Sequence, residues 1–318
     1  RSHATWPTAA GDGRRPGRGG IVIARLTCLA VAAALAAVVV TGCGGESVTI
    51  GAKNFPEQRI LGEIYAQALE ADGFDVEREF GLGDEKTALK SLETKQIDAY
   101  PEYTGTALTS FFGVKAAEIP KDPAKAFEGV RDGFRGRGIT PLDPTPFTSS
   151  NEVGVLSKTA ERLNLRKISD LARVQDQITL FGSPECRQRE DCLLGLQGVY
   201  GLKLKRFVPV DISLRHQVLT TGQADASIVF TTDPQITRDD IVLLEDDRGM
   251  FPPYNSTLLF RDDALARVGG DRVRRVIDRV SRPLTGPVMR ELDARVELDK
   301  ETPAQAAEGY LEAFGLVD

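Results

Sequence analysis

The chain has 318 residues, of which 41% are hydrophobic and 27% are charged, and its formal net charge is -6 at pH 7. This composition is typical of a globular protein, and the length is enough for one large or two medium domains. An acidic chain is a poor ligand for a phosphate backbone, so we expect no nucleic-acid partner.

Residues 1–42 are predicted to be a leader that is removed on export. The run LTCLAVAAALAAVVV at 26–40 follows Arg25, is too short to span a bilayer comfortably and has the flanks of a secretory signal. It ends in VTGC at 40–43, which resembles a bacterial lipobox with Cys43 as the acylated residue. The alternative is an ordinary signal peptide with an incidental cysteine. We therefore predict a lipoprotein anchored to the outer face of the cell membrane.

Loss of the leader would change the charge and leave two cysteines in the body of the chain. Five arginines and one aspartate lie in the leader, so the net charge falls from -6 to -10. Cys186 and Cys192 are six residues apart, which in an exported protein favours a small-loop disulfide over a zinc knuckle. Free thiols are the alternative.

The chain then alternates predicted strands and helices. Apolar residues recur at helical spacing in PEQRILGEIYAQALEADG, which begins with a proline at its first turn and ends in glycine. The predicted order is strand 48–53, helix 56–73, strand 75–80, helix 84–95 and strand 96–100. Strands that alternate with helices of this length indicate crossover connections and a mostly parallel sheet.

The same alternation restarts after the proline-rich segment ITPLDPTPFTSS at 139–150. Four strands are predicted, EVGVLS, ITLFGS, KRFVPV and ASIVFTT, with the helices ISDLARV, DCLLGLQGVYG and LRHQVLTTG between them. The last seventy residues are predicted to add the strand STLLFR and three amphipathic helices, which pack on the existing sheets.

One internal similarity indicates two related lobes. LETKQIDA at 92–99 and LTTGQADA at 219–226 share five of eight residues, and each leads into a strand with a threonine-rich end. Ligands of open parallel sheets bind outside the carboxyl ends of the strands. This rule selects GAKNFPEQ, YPEYTGT and FTTDPQ as segments that face a shared cleft.

Catalytic motifs are few. Of the two histidines, His3 lies in the leader, so a triad or metal site would depend on His216 alone. The sequence contains no HExxH, GxSxG or GxxxxGK[ST] motif. We therefore predict a protein that is not an enzyme and uses no cofactor or metal, with an exported enzyme based on acidic residues as the alternative.

Six segments in this order and spacing resemble the substrate-binding proteins of osmoprotectant ABC transporters, the glycine betaine, choline and carnitine class. They are GAKNFPEQRILGEIYAQALE, QIDAYPEYTGTAL, ISDLA, FGSPECRQREDCLLGLQGVYGL, FTTDPQI and LLEDDRGMFPPYN. The resemblance implies a type II periplasmic-binding-protein fold, α/β with two lobes: lobe I from 43–149 and 251–318, and lobe II from 150–250. Two hinge crossings are expected, near 148–151 and 247–253. It also implies a monomeric receptor that binds a small solute and delivers it to an ABC permease and its ATPase.

The same resemblance implies the binding site. A quaternary ammonium has no N–H to donate, so aromatic faces bind it through cation–π attraction. In the family the second tyrosine and second threonine of YPEYTGT line the pocket, which selects Tyr103 and Thr106, whereas Tyr100 is expected in the core. Lys53 and Arg189 are candidates for the anionic end of the ligand. The other candidates are Asn54, Phe55, Gln58, Asn151, His216, Asp233 and Tyr254.

The sequence also departs from the family pattern. Val153, His216 and the Asp239-Asp240 pair stand where the family commonly has tyrosines, and Phe55, Phe230 and Tyr254 are candidates to replace these rings. Two alternatives follow: the same receptor with a ligand that is not a quaternary ammonium, or a structural lipoprotein that has lost ligand binding.

Overall fold

The computed structural model describes residues 47–317, which form two five-stranded sheets flanked by helices. The predicted leader and Cys43 lie outside the described residues. The sheet order is β2-β1-β3-β10-β4 in the first sheet and β7-β6-β8-β5-β9 in the second. The part of the chain around the first sheet is called lobe I, and the part around the second is called lobe II.

Lobe I begins with eight elements before the chain crosses to lobe II, and a π-helical turn, Ala107–Phe111, directly continues α3. The elements are β1 (Ser47–Ala52), α1 (Pro56–Ala71), β2 (Asp75–Phe80), α2 (Glu85–Glu93), β3 (Ala99–Tyr103), α3 (Thr104–Thr106), α4 (Pro123–Phe134) and β4 (Ile139–Pro141).

Lobe II has short helices, and ISDLARV forms a 3₁₀ segment, Ile168–Arg173, where a helix was predicted. Its elements are β5 (Asn151–Leu156), α5 (Ser157–Leu163), β6 (Thr179–Gly182), α6 (Leu193–Gly198), β7 (Arg206–Pro209), α7 (Gln217–Thr220), β8 (Ala226–Phe230), α8 (Gln235–Arg238) and β9 (Ile241–Leu243).

The chain then returns to lobe I, where four helices follow the last strand rather than the three predicted. They are β10 (Ser256–Arg261), α9 (Asp262–Arg267), α10 (Gly270–Ser281), α11 (Gly286–Glu297) and α12 (Pro303–Ala313). Strand β10 enters the sheet between β3 and β4, while α10, α11 and α12 pack against α1. These three C-terminal helices therefore pack on α1, which itself packs on the sheet of lobe I.

Both sheets are mixed with the same pattern of directions. In lobe I, β1 is parallel to β2 and β3, and β10 is antiparallel to β3 and β4. In lobe II, β6 is parallel to β7 and β8, and β5 is antiparallel to β8 and β9. Four of the five strands in each sheet therefore share one direction, which confirms the predicted two-lobed fold. Strands β4 and β9 were not predicted, because three residues are too few to show an alternating pattern.

The chain passes between the sheets twice, at 142–150 and 244–255. The two crossing segments meet in an antiparallel bridge between Thr148 and Asn255, and the Ser149 N–H donates to the Tyr254 carbonyl at 3.1 Å. Both antiparallel strands, β5 and β10, directly follow a crossing. The crossings therefore lie side by side next to the edges where the parallel strands end.

The core of lobe I explains why Tyr100 is not a ligand contact. Tyr100 is fully buried in an apolar cluster with Leu92, Phe134 and Leu259, which agrees with its predicted core position. Its neighbour in the motif, Tyr103, lies at the end of the same strand. Within residues 47–317, no helix is long and apolar enough to cross a membrane.

Candidate functional site

A cavity of about 70 Å³ lies between the two lobes. This is well above the about 10 to 15 Å³ that a cavity needs to hold one water, so there is room for several waters or a small solute. Both lobes and both crossings contribute to its lining: Lys53, Asn54, Phe55, Gly83, Asp84, Glu85, Tyr103, Thr106, Ser149, Asn151, Ser183, Glu185, Cys186, Arg189, Cys192, Val210, Ile212, Arg215, Ile228, Phe230 and Tyr254.

Eight of the eleven predicted ligand-binding residues line this cavity, and three do not. The eight are Lys53, Asn54, Phe55, Tyr103, Thr106, Asn151, Arg189 and Tyr254. Gln58, His216 and Asp233 lie behind the wall, which corrects their predicted position. Gln58 is fully buried, and its side-chain oxygen accepts from the Lys53 N–H at 3.4 Å, so it holds the loop that carries Lys53.

The ends of β1 and β3 form the wall in lobe I. These parallel strands are neighbours, so the loops that follow them meet at one edge of the sheet. Phe55 and Tyr103 stack there with ring centroids 6.3 Å apart. Lys53 Nζ lies 2.5 Å from Glu102 Oε1, a carboxylate with no exposure. Burial raises the pKa of Glu102, and the Lys53 ammonium offsets part of that rise.

Behind Tyr103, a buried carboxyl group connects the two lobes. The Tyr103 hydroxyl donates to Glu57 Oε1 at 2.5 Å, and Thr232 of lobe II donates to Glu57 Oε2 at 2.6 Å. Burial raises the pKa of Glu57 despite these donors. Burial and the nearby Glu57 carboxyl also raise the pKa of Asp293 on α11 well above its ordinary value. The pair therefore favours a shared proton over two charges.

In lobe II, Arg189 reaches the cavity from the loop between β6 and α6. Cys186 and Cys192 close this loop with a disulfide, which confirms the predicted pairing. Arg189 makes a bidentate pair with Asp191 at 2.8 and 2.5 Å. It also crosses to lobe I, where Nη2 donates to Thr106 Oγ1 at 3.3 Å and Nη1 lies 3.7 Å from Glu85 Oε2.

Tyr254 comes from the second crossing and joins the same network. Its hydroxyl donates to Asp191 Oδ2 at 2.6 Å and accepts from Asn151 Nδ2 at 3.2 Å. Burial alone would raise the pKa of Asp191, but the Arg189 guanidinium outweighs it and the pKa is lowered. Arg189, Asp191 and Tyr254 therefore form one rigid polar wall with a fixed ionic state.

Arg215 lines the cavity in place of its neighbour His216. Its guanidinium contacts Asp233 at 2.9 and 2.5 Å and lies 4.9 Å from the Phe230 ring centroid. His216 Nε2 lies 2.9 Å from Asp233 Oδ2. Burial would raise the pKa of Asp233, but Arg215 and His216 lower it to about 2. Asp233 therefore anchors both side chains, and of these three residues only Arg215 lines the cavity.

The protein's own cations lie close to most of the aromatic rings in the cavity lining. Lys53 Nζ lies 5.8 Å from the Phe55 centroid and 4.9 Å from the Tyr103 centroid, and Arg215 covers Phe230. Within residues 47–317, Tyr254 is the one lining ring without such a cation. Three of the four aromatic rings that line the cavity thus already have a cationic neighbour.

Sequence reasoning missed several lining residues, above all Arg215 and Glu85. Arg215 is adjacent to the predicted His216, so the segment was identified but the wrong side chain was chosen. Glu85 is the first residue of α2, beside the cap Asp84, and its position after β2 was the available signal. Among residues 47–317, no group of three or more His, Cys, Asp or Glu side chains is arranged to hold a metal ion.

Comparison with known proteins gives a consistent result. Residues 46–313 match the family described as the substrate-binding domain of ABC-type glycine betaine transport systems. The glycine-betaine-binding protein of Pseudomonas aeruginosa is 31% identical over 305 residues, which cover 92% of this chain and 95% of that protein. The carnitine transport binding protein OpuCC of Listeria monocytogenes is 28% identical and covers 85% and 89% of the two chains.

Solved structures agree on the fold. The crystal structure of a glycine betaine/carnitine/choline ABC transporter protein has a TM-score of 0.68 at 24% identity, and the match covers 85% of this chain and all of that one. Apo YehZ of Escherichia coli has a TM-score of 0.62 at 23% identity, with 85% and 99% covered. These similarities support the fold. They do not identify the ligand, because the sequence identities are below 25%.

Proposed function

The chain belongs to the family of substrate-binding domains of ABC-type glycine betaine transport systems, and from this premise we propose a ligand and a mechanism for it. As a family member it is a solute-binding protein of an ABC importer and not an enzyme. We propose that it is a monomeric, lipid-anchored receptor on the outer face of the membrane. It binds a small zwitterionic osmoprotectant such as glycine betaine or carnitine and delivers it to the permease.

The observation that carries this proposal is the presence of two cationic side chains, Lys53 and Arg189, in the cavity lining. One comes from lobe I and the other from lobe II, and both line a space sized for a small solute. Thr106 also lines the cavity and already accepts from Arg189 at 3.3 Å. A carboxylate at this position would receive charge-assisted hydrogen bonds from both lobes.

The cationic end of the same solute would lie against the aromatic lining. A trimethylammonium group cannot donate a hydrogen bond, so it gains about 0.5 to 2 kcal/mol from each ring face it meets. Tyr254, whose hydroxyl is fixed by Asp191 and Asn151, presents a ring held in one orientation. The fixed ring reduces the entropy lost on binding.

The mechanism follows from the position of the cavity between two lobes. We propose lobe I as residues 43–149 and 251–318, lobe II as 150–250, and the paired crossings as the hinge. A ligand touches both walls only when the cleft is closed, so binding shifts the hinge equilibrium toward closure. The permease then recognises the closed surface.

A second candidate is the same receptor with a ligand that is not a quaternary ammonium. It is favoured by the cations of the protein itself, Lys53 and Arg215, which lie within 6 Å of Phe55, Tyr103 and Phe230. A ligand cation at those rings would have to share the face with a like charge. A neutral or anionic solute would not.

Thermal unfolding with a panel of solutes separates the two candidates. The protein is residues 43–318 with Cys43→Ser, and the panel contains glycine betaine, choline, carnitine, proline and neutral polyols. A ligand at 100 times its dissociation constant adds about 2.7 kcal/mol of stability. A shift with glycine betaine or carnitine supports the first candidate. A shift with another solute alone supports the second, and no shift with any solute argues against a receptor for this panel.

The lipid anchor has a separate test. The chain of residues 1–318, preceded by a start methionine, and its Cys43→Ser variant are expressed in a bacterium that acylates lipoproteins, and membranes are separated from the medium. We expect the unsubstituted protein in the membrane fraction and the variant in soluble form. Equal partition of both forms would refute acylation at Cys43.

A further inference from the structure

The Cys186–Cys192 disulfide closes a small loop against the end of β6. Both cysteines line the cavity and are 1% and 2% exposed. A Cβ atom at Gly182 would lie 2.9 Å from Cys186 Sγ, so the glycine lets the disulfide sit directly on the strand. The crosslink is therefore part of the cavity wall and not a surface staple.

Arg189 lies at the middle of this loop and is tied to both cysteines. Its N–H donates to the Cys186 carbonyl at 3.4 Å, and its carbonyl accepts from the Cys192 N–H at 3.2 Å. The side chain is held by Asp191, which also lies within the loop. Arg189 and its ion-pair partner Asp191 thus belong to the same crosslinked segment.

Beyond this loop, Arg189 makes its other side-chain contacts in lobe I, with Thr106 and Glu85. The segment 183–192 has only a 3₁₀ turn, Pro184–Gln188, of regular structure. Without a crosslink such a segment samples many backbone conformations, and binding would have to select one of them. The disulfide therefore limits the backbone conformations from which Arg189 can reach across the cleft.

We propose that the Cys186–Cys192 disulfide determines ligand selectivity by positioning Arg189 for the anionic end of the solute, so that its reduction weakens the binding of carboxylate-bearing solutes in particular. The inference rests on the proposed function, because it takes Arg189 as a contact of the ligand. In this role Cys186 and Cys192 position Arg189, and Arg189 rather than the cysteines contacts the ligand.

Reduction of the Cys186–Cys192 disulfide is a two-electron thiol–disulfide exchange. An external dithiol attacks one sulfur, the Cys186–Cys192 bond breaks, and a second thiolate of the reagent resolves the mixed disulfide. The protein gains two electrons and two protons as two thiols, and the reagent becomes a disulfide. Since both sulfurs are buried, attack requires the loop to open, and a bound solute is expected to slow the reduction.

The experiment compares glycine betaine, which has a carboxylate, with choline, which has a hydroxyl instead. Dissociation constants are measured by calorimetry for the Cys43→Ser protein, for Cys186→Ser/Cys192→Ser, for Arg189→Gln and for the combined variant. Far-UV circular dichroism checks that each variant is folded. Dithiothreitol reduction of the disulfide-containing protein provides the same comparison without substitution.

We expect the double cysteine variant to lose affinity for glycine betaine by about tenfold, at least five times more than it loses for choline. In the Arg189→Gln background the cysteine substitutions should add less than twofold to the loss for glycine betaine. Equal losses for both solutes, or a further tenfold loss in the Arg189→Gln background, would overturn the proposal.

A second measurement works without any ligand. The ¹⁵Nε relaxation of Arg189 reports the order of the guanidinium, which we expect to be rigid with the disulfide and mobile on the nanosecond timescale without it. Unchanged order would refute the positioning role. If the protein binds neither solute but the order changes, the proposed ligand fails while the positioning of Arg189 stands.

Discussion

Replacement of Tyr103 by phenylalanine and by alanine separates the two roles that its position allows. The ring lines the cavity, stacks on Phe55 and is 5% exposed. The hydroxyl donates to the buried Glu57 carboxyl at 2.5 Å. Tyr103→Phe removes only the hydroxyl, whereas Tyr103→Ala removes both groups. The difference between the two variants is therefore the contribution of the ring.

The expected magnitudes follow from these contacts. Loss of one donor to a buried acceptor costs about 1 to 3 kcal/mol of unfolding free energy, and Glu57 keeps Thr232 as a second donor, so Tyr103→Phe should lie near the lower value. Truncation of a buried aromatic ring costs about 3 to 5 kcal/mol. If a cationic solute shares the Tyr103 ring with Lys53, which lies 4.9 Å from its centroid, loss of the ring should weaken binding by about 1 to 2 kcal/mol, or about 5- to 30-fold.

Urea unfolding and calorimetric titration with the cationic solute identified by the panel provide the two measurements. We expect Tyr103→Phe to keep the dissociation constant within about twofold and Tyr103→Ala to raise it. Equal affinities for the Phe and Ala variants would show that the ring makes no contact with the ligand. A large loss of stability with unchanged affinity would assign Tyr103 to packing alone.

Two further predictions concern Gly105 in α3 and Glu152, a half-buried acid that follows the first crossing. Gly105→Ala should cost about 1 to 3 kcal/mol of unfolding free energy and weaken ligand binding, because the added Cβ would lie 2.8 Å from the Pro253 carbonyl oxygen and 2.8 Å from the Tyr254 ring; unchanged urea unfolding would contradict it. Burial, with help from Asp246, raises the pKa of Glu152 from 4.5 to about 8. The native state thus holds a proton that the unfolded state releases, so stability should fall as pH rises from 4.5 to about 8, by up to a few kcal/mol. Glu152→Gln should remove this part of the fall in urea unfolding measured at pH 5 and pH 8.5, and parallel pH profiles would sink the assignment.

The sequence was informative where local patterns carry the structure. The alternation of strands and helices predicted two similar sheets, because burial on both faces and crossover helices leave periodic apolar patterns. The loops after β1 and β3 were placed correctly in the cavity, since neighbouring parallel strands end at one edge. This rule selected the segments that carry Lys53, Phe55, Tyr103 and Thr106, and the family resemblance selected Tyr103 and Thr106 within them.

The structure decided what depends on distance between remote segments. Strands β4 and β9 form only because β10 and β5 lie beside them, and three residues carry no pattern of their own. Arg215 rather than His216 lines the cavity, although both side chains contact Asp233, a residue 17 or more positions further along the chain. Arg215 and His216 are adjacent and precede the four-residue helix α7, so the sequence pattern could not show which of them lines the cavity.

The coverage of the aromatic rings is a further result of tertiary structure. The sequence pattern predicted that Lys53, Tyr103 and Phe230 lie near the ends of strands. The order and spacing of its motifs also predicted a family of solute receptors. It did not determine that Lys53 lies over Tyr103 or that Arg215 lies over Phe230. Cation–π contacts depend on side-chain positions to within a few ångströms. Such positions are fixed by packing between elements that are distant in the chain, so only the folded structure decides which rings remain open to a ligand.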